Sequence, residues 1–202
     1  MVTEYLAANE WCKSAAGEEP QLRAVAGLLR RVHQLPVAAP ELDIERRAAH
    51  CWRSIEQRGR AVLSQLAPMR TRLTEFRCRY LDGFSAARRA CLCHNDPVSE
   101  NILCCRGALY LIDWEYAAMG STFFDLAVYM HSEKLDSSAR EALLAYYCGG
   151  DVQWQRKHLW AAEAGFLYLD LLWHGVHGGC SAAVLEQKAD CLLRLLATPL
   201  ER

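Results

Sequence analysis

One short stretch of this chain holds a histidine, two aspartates and an asparagine at spacings that suit group transfer. Residues 94–101 read His94-Asn95-Asp96-Pro97-Val98-Ser99-Glu100-Asn101, and twelve residues beyond Asn101 comes Asp113, in Ile112-Asp113-Trp114-Glu115. Phosphoryl transfer needs a carboxylate beside the attacking hydroxyl, and oxygen ligands for the magnesium that neutralises the phosphates. Both are on offer here. Pro97 and Ser99, lying between Asp96 and Asn101, favour a loop over a continuous helix, and a loop can aim both side chains at one point.

The scaffold for these residues is also legible. Asn101 to Cys105 and Ala108 to Ile112 are short apolar runs separated by Arg106-Gly107, a two-residue turn with glycine second, which predicts a β-hairpin. Folding that hairpin back brings Asp113, at the end of its second strand, near Asn101, at the start of its first. Two plainer readings stand beside the chemical one. Asp96 in Asn-Asp-Pro is ordinary turn chemistry, and Glu115 is equally compatible with a solvated or backbone-capping acid.

The segment from Cys91 to Ala127 resembles the catalytic core of the choline/ethanolamine kinase and aminoglycoside phosphotransferase superfamily, small-molecule relatives of the eukaryotic protein kinases. Within it, His94-Asn95-Asp96 and Ile112-Asp113-Trp114-Glu115-Tyr116-Ala117 are more similar to the choline and thiamine kinase branch than to the antibiotic-modifying one. The resemblance implies a mainly α fold with a small β-hairpin (α+β), the C-terminal lobe of a protein-kinase-like fold. It implies Asp96 as catalytic base and Asn101 and Asp113 as magnesium ligands, with Glu115 at a second metal or at substrate. His94 then braces the loop, and Asp125, in Phe123-Phe124-Asp125-Leu126-Ala127, holds the loop backbone. The implied cofactors are Mg2+ and ATP, and the implied acceptor is a hydroxyl of a small, cationic metabolite.

Composition excludes several other classes. With 202 residues, 52% of them apolar and 23% charged, the chain can bury a sizeable core. A net charge of −1 gives no global field to recruit nucleic acid or an anionic membrane. No stretch approaches twenty apolar residues and the N-terminus lacks a basic segment followed by an apolar one, so a cytoplasmic location is expected. The ten cysteines are scattered through apparent helices and strands, which reads as reduced and mostly buried thiols. Cys91, Cys93, His94, Cys104 and Cys105 could converge on zinc. However, no C-x-x-C pair is present, and adjacent cysteines on a strand point to opposite faces, so small core residues are the default expectation.

The remaining elements are helical. Glu18-Glu19-Pro20 opens a helix that carries Leu22, Val25, Leu29 and Val32 at helical spacing until Leu35-Pro36. A second helix is expected from Asp43 to Ala67, with Gly59 a weak point and Pro68 the stop, and a third from Met69 to Leu81. The arginines of the third, Arg70, Arg72, Arg77 and Arg79, read as a phosphate-attracting patch or as a solvated face. Beyond the hairpin, helices are expected over Phe123 to Ser132, Ser138 to Tyr147, Val152 to His174 with a break or kink near Gly165, and Ala182 to Leu196. Trp154, Trp160, Tyr168 and Trp173 form an aromatic-rich segment with Glu163 and Asp170 interleaved. A quaternary ammonium binds over such faces, although aromatics at helical spacing are more often core.

Kinase-like enzymes cover ATP with a glycine-rich loop and use a strand lysine, both N-terminal to the catalytic loop. The residues before His94 contain no such loop, and their sole lysine is Lys13. Val2 to Ala7 resembles the family's hinge strand. Residues 1–12 are therefore expected to be a hinge-strand remnant and 13–202 the catalytic and substrate-binding lobe, with the nucleotide-binding lobe absent. Two functions fit: an ATP-dependent kinase impaired as this chain, or a non-catalytic remnant that binds an amine or a partner. In the second, apolar surface at residues 1–12 and around the hairpin invites homo-oligomerisation.

Overall fold

The computed structural model of the chain describes residues 9–10, 17–58, 66, 71, 90–150, 152–153, 155–178 and 181–197. The expected hinge strand at Val2–Ala7, the third helix with its arginines and Trp154 lie outside the described residues, apart from Thr71, which is helical. The chain divides into two compact units, one of residues 1–41 and 89–156, the other of residues 42–88 and 157–202.

In the first unit, strand β1 (Asn9–Glu10) precedes helix α1 (Glu19–His33). Pro20 pre-sets the first turn, where its missing N–H costs nothing, and Arg30, Arg31 and His33 lie in the last turn, where the helix dipole favours positive charge. Leu22, Val25, Ala26, Leu28, Leu29 and Val32 make the buried face, which packs chiefly against helix α4 (Ser137–Cys148). Each fully buried aliphatic side chain on that face contributes roughly 1.5–3 kcal/mol. Asp136 caps α4 by accepting a hydrogen bond from the Ala139 N–H at 2.8 Å, and Gly149 ends it in the left-handed region at φ 77°, where a side chain would be strained.

The strands form two small sheets, one leading into the candidate loop and the other leading out of it. β2 (Cys91–Cys93) pairs antiparallel with β5 (Ala118–Gly120), and β3 (Ile102–Cys105) pairs with β1 and with β4 (Ala108–Leu111). The β3–β4 connection is the expected two-residue turn, with Arg106 at φ 50° and Gly107 at φ 79°, the doubly positive φ of a type I′ hairpin. β5 leads into helix α3 (Thr122–Ser132), buried almost all round from Phe124 to Met130. Sequence pattern missed β5, because three residues ending in glycine carry little strand signal.

The second unit is helical. It contains α2 (Ile44–Arg58), most of α5 (Arg156–His177) and α6 (Ala182–Ala197). Ala48, Trp52, Ile55 and Leu66 pack with Leu171, Leu172, Leu185 and Ala189, and Trp160, Ala161, Ala164 and Leu167 pack with Leu192. The break expected near Gly165 is not there: α5 runs unbroken through that residue, which is buried. Burial of the flanking helix outweighs the ~1 kcal/mol propensity cost of one glycine. No helix among the described residues is long and apolar enough to cross a membrane.

Candidate active site

β2 delivers the chain directly into the loop. His94 is fully buried at its end, and Asn95 turns the backbone with a φ of 65°, a conformation that asparagine tolerates better than most residues. Two anchors hold that turn. The side-chain amide of Asn95 donates to the Tyr116 carbonyl at 2.9 Å, and Asp125, in the first turn of α3, accepts the backbone N–H groups of His94 at 2.9 Å and Asn95 at 2.6 Å. The Asp125 carboxylate also accepts from His33 Nε2 at 2.9 Å, and its side chain is 0% exposed. A buried carboxylate is tolerable only with such a full set of donors.

His94 performs a similar service for the hairpin exit. Its Nε2 donates to the Ile112 carbonyl at 2.9 Å, and its ring meets Trp114 edge-on at 4.7 Å.

Asp96 follows, half-buried, and Asn101 reaches back to it. The Asn101 amide nitrogen donates to the Asp96 carbonyl at 2.9 Å and to its Oδ2 at 3.0 Å. Between them, a short 3-10 turn over Ser99–Asn101 is tied to the exit of α3 by the Ser99 N–H, which donates to Glu133 Oε1 at 2.9 Å. The hairpin ladder continues one step past β4, since the Ile112 N–H donates to the Asn101 carbonyl at 3.0 Å. Asp113 is therefore one residue beyond the position opposite Asn101. It adopts φ 62°, ψ 65°, and the 3-10 turn Trp114–Tyr116 begins immediately after it. Asp113 and Glu115 are both exposed.

The electrostatics follow from this crowding. Burial pushes the Asp96 carboxyl above its ordinary range; His94 and the Asn101 hydrogen bond pull it down, and the negative charges of Asp113 and Glu115 push it up again. Three acids thus converge on one edge of the loop. Both Asn101 donor contacts go to Asp96, which leaves its Oδ1 carbonyl as the atom to face a cation. A side-chain carbonyl oxygen and an exposed carboxylate are hard donors of the kind magnesium takes, so the chemistry of Asn101 and Asp113 fits that ion.

A family model described as the phosphotransferase enzyme family matches residues 2–160. The chain belongs to that family. The LicA protein of Haemophilus influenzae is 41% identical over 56 residues, 28% of this phosphotransferase-family chain and 21% of LicA. The LicA homolog of Metamycoplasma hominis is 33% identical over 84 residues, 42% of this chain and 32% of the homolog. Neither alignment reaches two thirds of the relative's own length. Among solved structures, a choline/ethanolamine kinase family protein from Mesorhizobium loti superposes with a TM-score of 0.79 at 19% identity, over 98% of this chain and 69% of that one. Choline kinase LicA from Streptococcus pneumoniae gives 0.69 at 20% identity, over 96% and 69%. A LicA structure in complex with AMP gives 0.69 at 20%, over 96% and 68%. The family member in hand therefore has the expected choline-kinase-like fold, a helical lobe with small β-hairpins.

Among the described residues of this phosphotransferase-family chain, Trp160, Tyr168 and Trp173 of the expected aromatic group do not form one cage. Trp160 is 9% exposed, and its indole N–H donates to the Leu195 carbonyl at 3.1 Å. Tyr168 accepts a hydrogen bond from the Trp52 indole at 2.8 Å. Trp173 is 44% exposed, with its ring stacked on His177 at 4.3 Å. Trp160 and Trp173 sit thirteen residues apart on one helix, roughly 20 Å at 1.5 Å per residue, which is too far for a shared cation. The interleaved Asp170 is engaged by Lys188 at 2.5 Å and His174 at 3.4 Å.

Two participants escaped sequence reasoning. His33 on α1 joins Asp125 through Nε2 and the Tyr147 hydroxyl through Nδ1, at 2.7 Å, and burial raises the Tyr147 hydroxyl above its ordinary range. Neither residue sits in a motif, and only the packing of α1 against α4 brings them to the loop.

Proposed function

We propose that this chain carries the catalytic residues of an ATP-dependent kinase that phosphorylates the hydroxyl of a small, cationic metabolite of the choline, ethanolamine or thiamine type. The observation that carries the proposal is the Asp96–Asn101 contact beside Asp113. Asp96, with Oδ2 held by Asn101, presents its other oxygen to an acceptor hydroxyl, orients it and takes its proton as the bond to phosphorus forms. A pKa raised by burial makes this carboxylate a stronger base than a solvated one. Asn101 and Asp113 would hold magnesium, which neutralises charge on the transferred phosphate. His94 and Asp125 keep the loop in place, so the geometry is set before substrate arrives.

ATP as donor is supported by the family and by the AMP held in the LicA relative. The cationic acceptor is supported by the Asn95-Asp96 and Asp113-Trp114-Glu115 wording and by the choline kinase relatives, not by the aromatics of α5. These 202 residues contain no glycine-rich phosphate loop, so turnover by the chain expressed alone is expected to be weak. Incubation with ATP, magnesium and each of choline, ethanolamine, thiamine and an aminoglycoside, with product detection by mass spectrometry, tests the assignment. A phosphorylated cationic alcohol is expected; phosphorylation confined to the aminoglycoside overturns the choice of substrate class.

A further inference from the structure

Behind the loop lies a second set of ligating atoms with different chemistry. Alternation along β2 puts Cys91 and Cys93 on one face, with their Sγ atoms 3.9 Å apart. The His33 ring enters the same space from α1, and the ligating atoms of His33, Cys93 and Asp125 lie within 4.8 Å of one another. Cys104 and Cys105, considered with this group on sequence grounds, occupy β3 instead. The imidazole that completes the set comes from a separate helix.

The spacing of the two thiols suits a tetrahedral soft-metal centre, with His33 and Asp125 grouped around Cys93. Two thiolates bound to one zinc at 2.3 Å have sulfurs roughly 3.8 Å apart, so this dithiol already has the required bite. The ring's other nitrogen meets the Tyr147 hydroxyl at 2.7 Å, the outer contact that orients metal-bound histidines. Cys91 is only half-buried, which leaves an approach for an ion.

We infer that Cys91, Cys93 and His33 form a binding site for a soft divalent metal ion of the zinc type, with Asp125 adjacent as a fourth oxygen ligand. Binding expels the two thiol protons to solvent. His33 exchanges its Nε2 hydrogen for one on Nδ1, which it donates to Tyr147, so Nε2 is free to coordinate. Asp125 then faces a cation where it now accepts from His33. The ion therefore bears on the carboxylate that holds the His94 and Asn95 backbone, and its occupancy is coupled to the loop.

The test uses the reduced, metal-free chain and Cd2+ as probe, followed by calorimetry and by the ultraviolet thiolate-to-metal charge-transfer band. One equivalent is expected to bind. Cys91→Ser and His33→Gln should each weaken binding about a hundredfold, and Tyr147→Phe about tenfold to a hundredfold. Wild-type affinity in Cys91→Ser overturns the site. Because a variant at this position could fail to fold, alkylation of the wild-type chain is mapped by mass spectrometry with and without Cd2+. Protection of Cys91 and Cys93 supports the site, and equal labelling in both conditions overturns it.

Discussion

Asn101 donates twice to Asp96, once to its backbone carbonyl at 2.9 Å and once to its carboxylate at 3.0 Å, so the proposed base and the proposed metal ligand are one hydrogen-bonded unit. Asn101→Ala should therefore do two kinds of damage. Loss of the two contacts costs roughly 1–2 kcal/mol of stability, read as a lower urea midpoint, and phosphoryl transfer should fall about a hundredfold or more. A variant with full activity would separate the two residues functionally.

The electrostatics of Asp96 predict a pH effect of definite sign. Glu115 is exposed and its charge raises Asp96, so Glu115→Gln should let Asp96 ionise at lower pH. The acidic limb of the kcat/KM profile should move to lower pH, by less as salt is added. A shift to higher pH would contradict the placement of Glu115 beside Asp96.

The same raised carboxyl predicts a gain in stability. With its folded pKa above the unfolded one, Asp96 favours the fold below its ordinary range, and that contribution is lost as pH rises through the folded value. Asp96→Asn cannot ionise and should raise Tm at neutral pH. An equal Tm at low and neutral pH relative to wild type would refute this.

Asp113 occupies the left-handed region, where alanine would add backbone strain, so Asp113→Asn is the cleaner probe of metal binding. The magnesium concentration for half-maximal activity should rise at least about tenfold. An unchanged magnesium dependence would remove Asp113 from the ligand set.

Much of the first unit was readable in order. Apolar spacing located α1 and α4, Arg106-Gly107 located the hairpin, and a separation of only five positions kept Asp96 and Asn101 together whatever the rest of the chain did. Other features depend on long-range packing. β5 is defined by its partner β2; the contact of Asp125 with the His94 and Asn95 backbone, which the family resemblance implied, rests on that pairing returning the chain to the loop. His33 reaches Asp125 only after α1 docks, and no local pattern encodes this. On α5, Trp160 and Trp173 shared an aromatic-rich stretch of sequence, but helical rise separates them.

Asp125 should be the most sensitive position for stability. Asp125→Ala strands the buried N–H groups of His94 and Asn95 and the His33 ring, and unfolding by urea should show a loss of about 3–5 kcal/mol. A loss below about 1 kcal/mol would mean that the loop is held by other contacts.

The most direct measurement is the rate of γ-phosphoryl transfer from ATP to a cationic alcohol by wild type and by Asp96→Asn, under matched magnesium. Weak but measurable transfer by the wild-type chain, reduced at least about a hundredfold in the variant, is the predicted result. Transfer that survives the substitution, or a chain that binds the amine and transfers nothing to any acceptor, would contradict a base at Asp96.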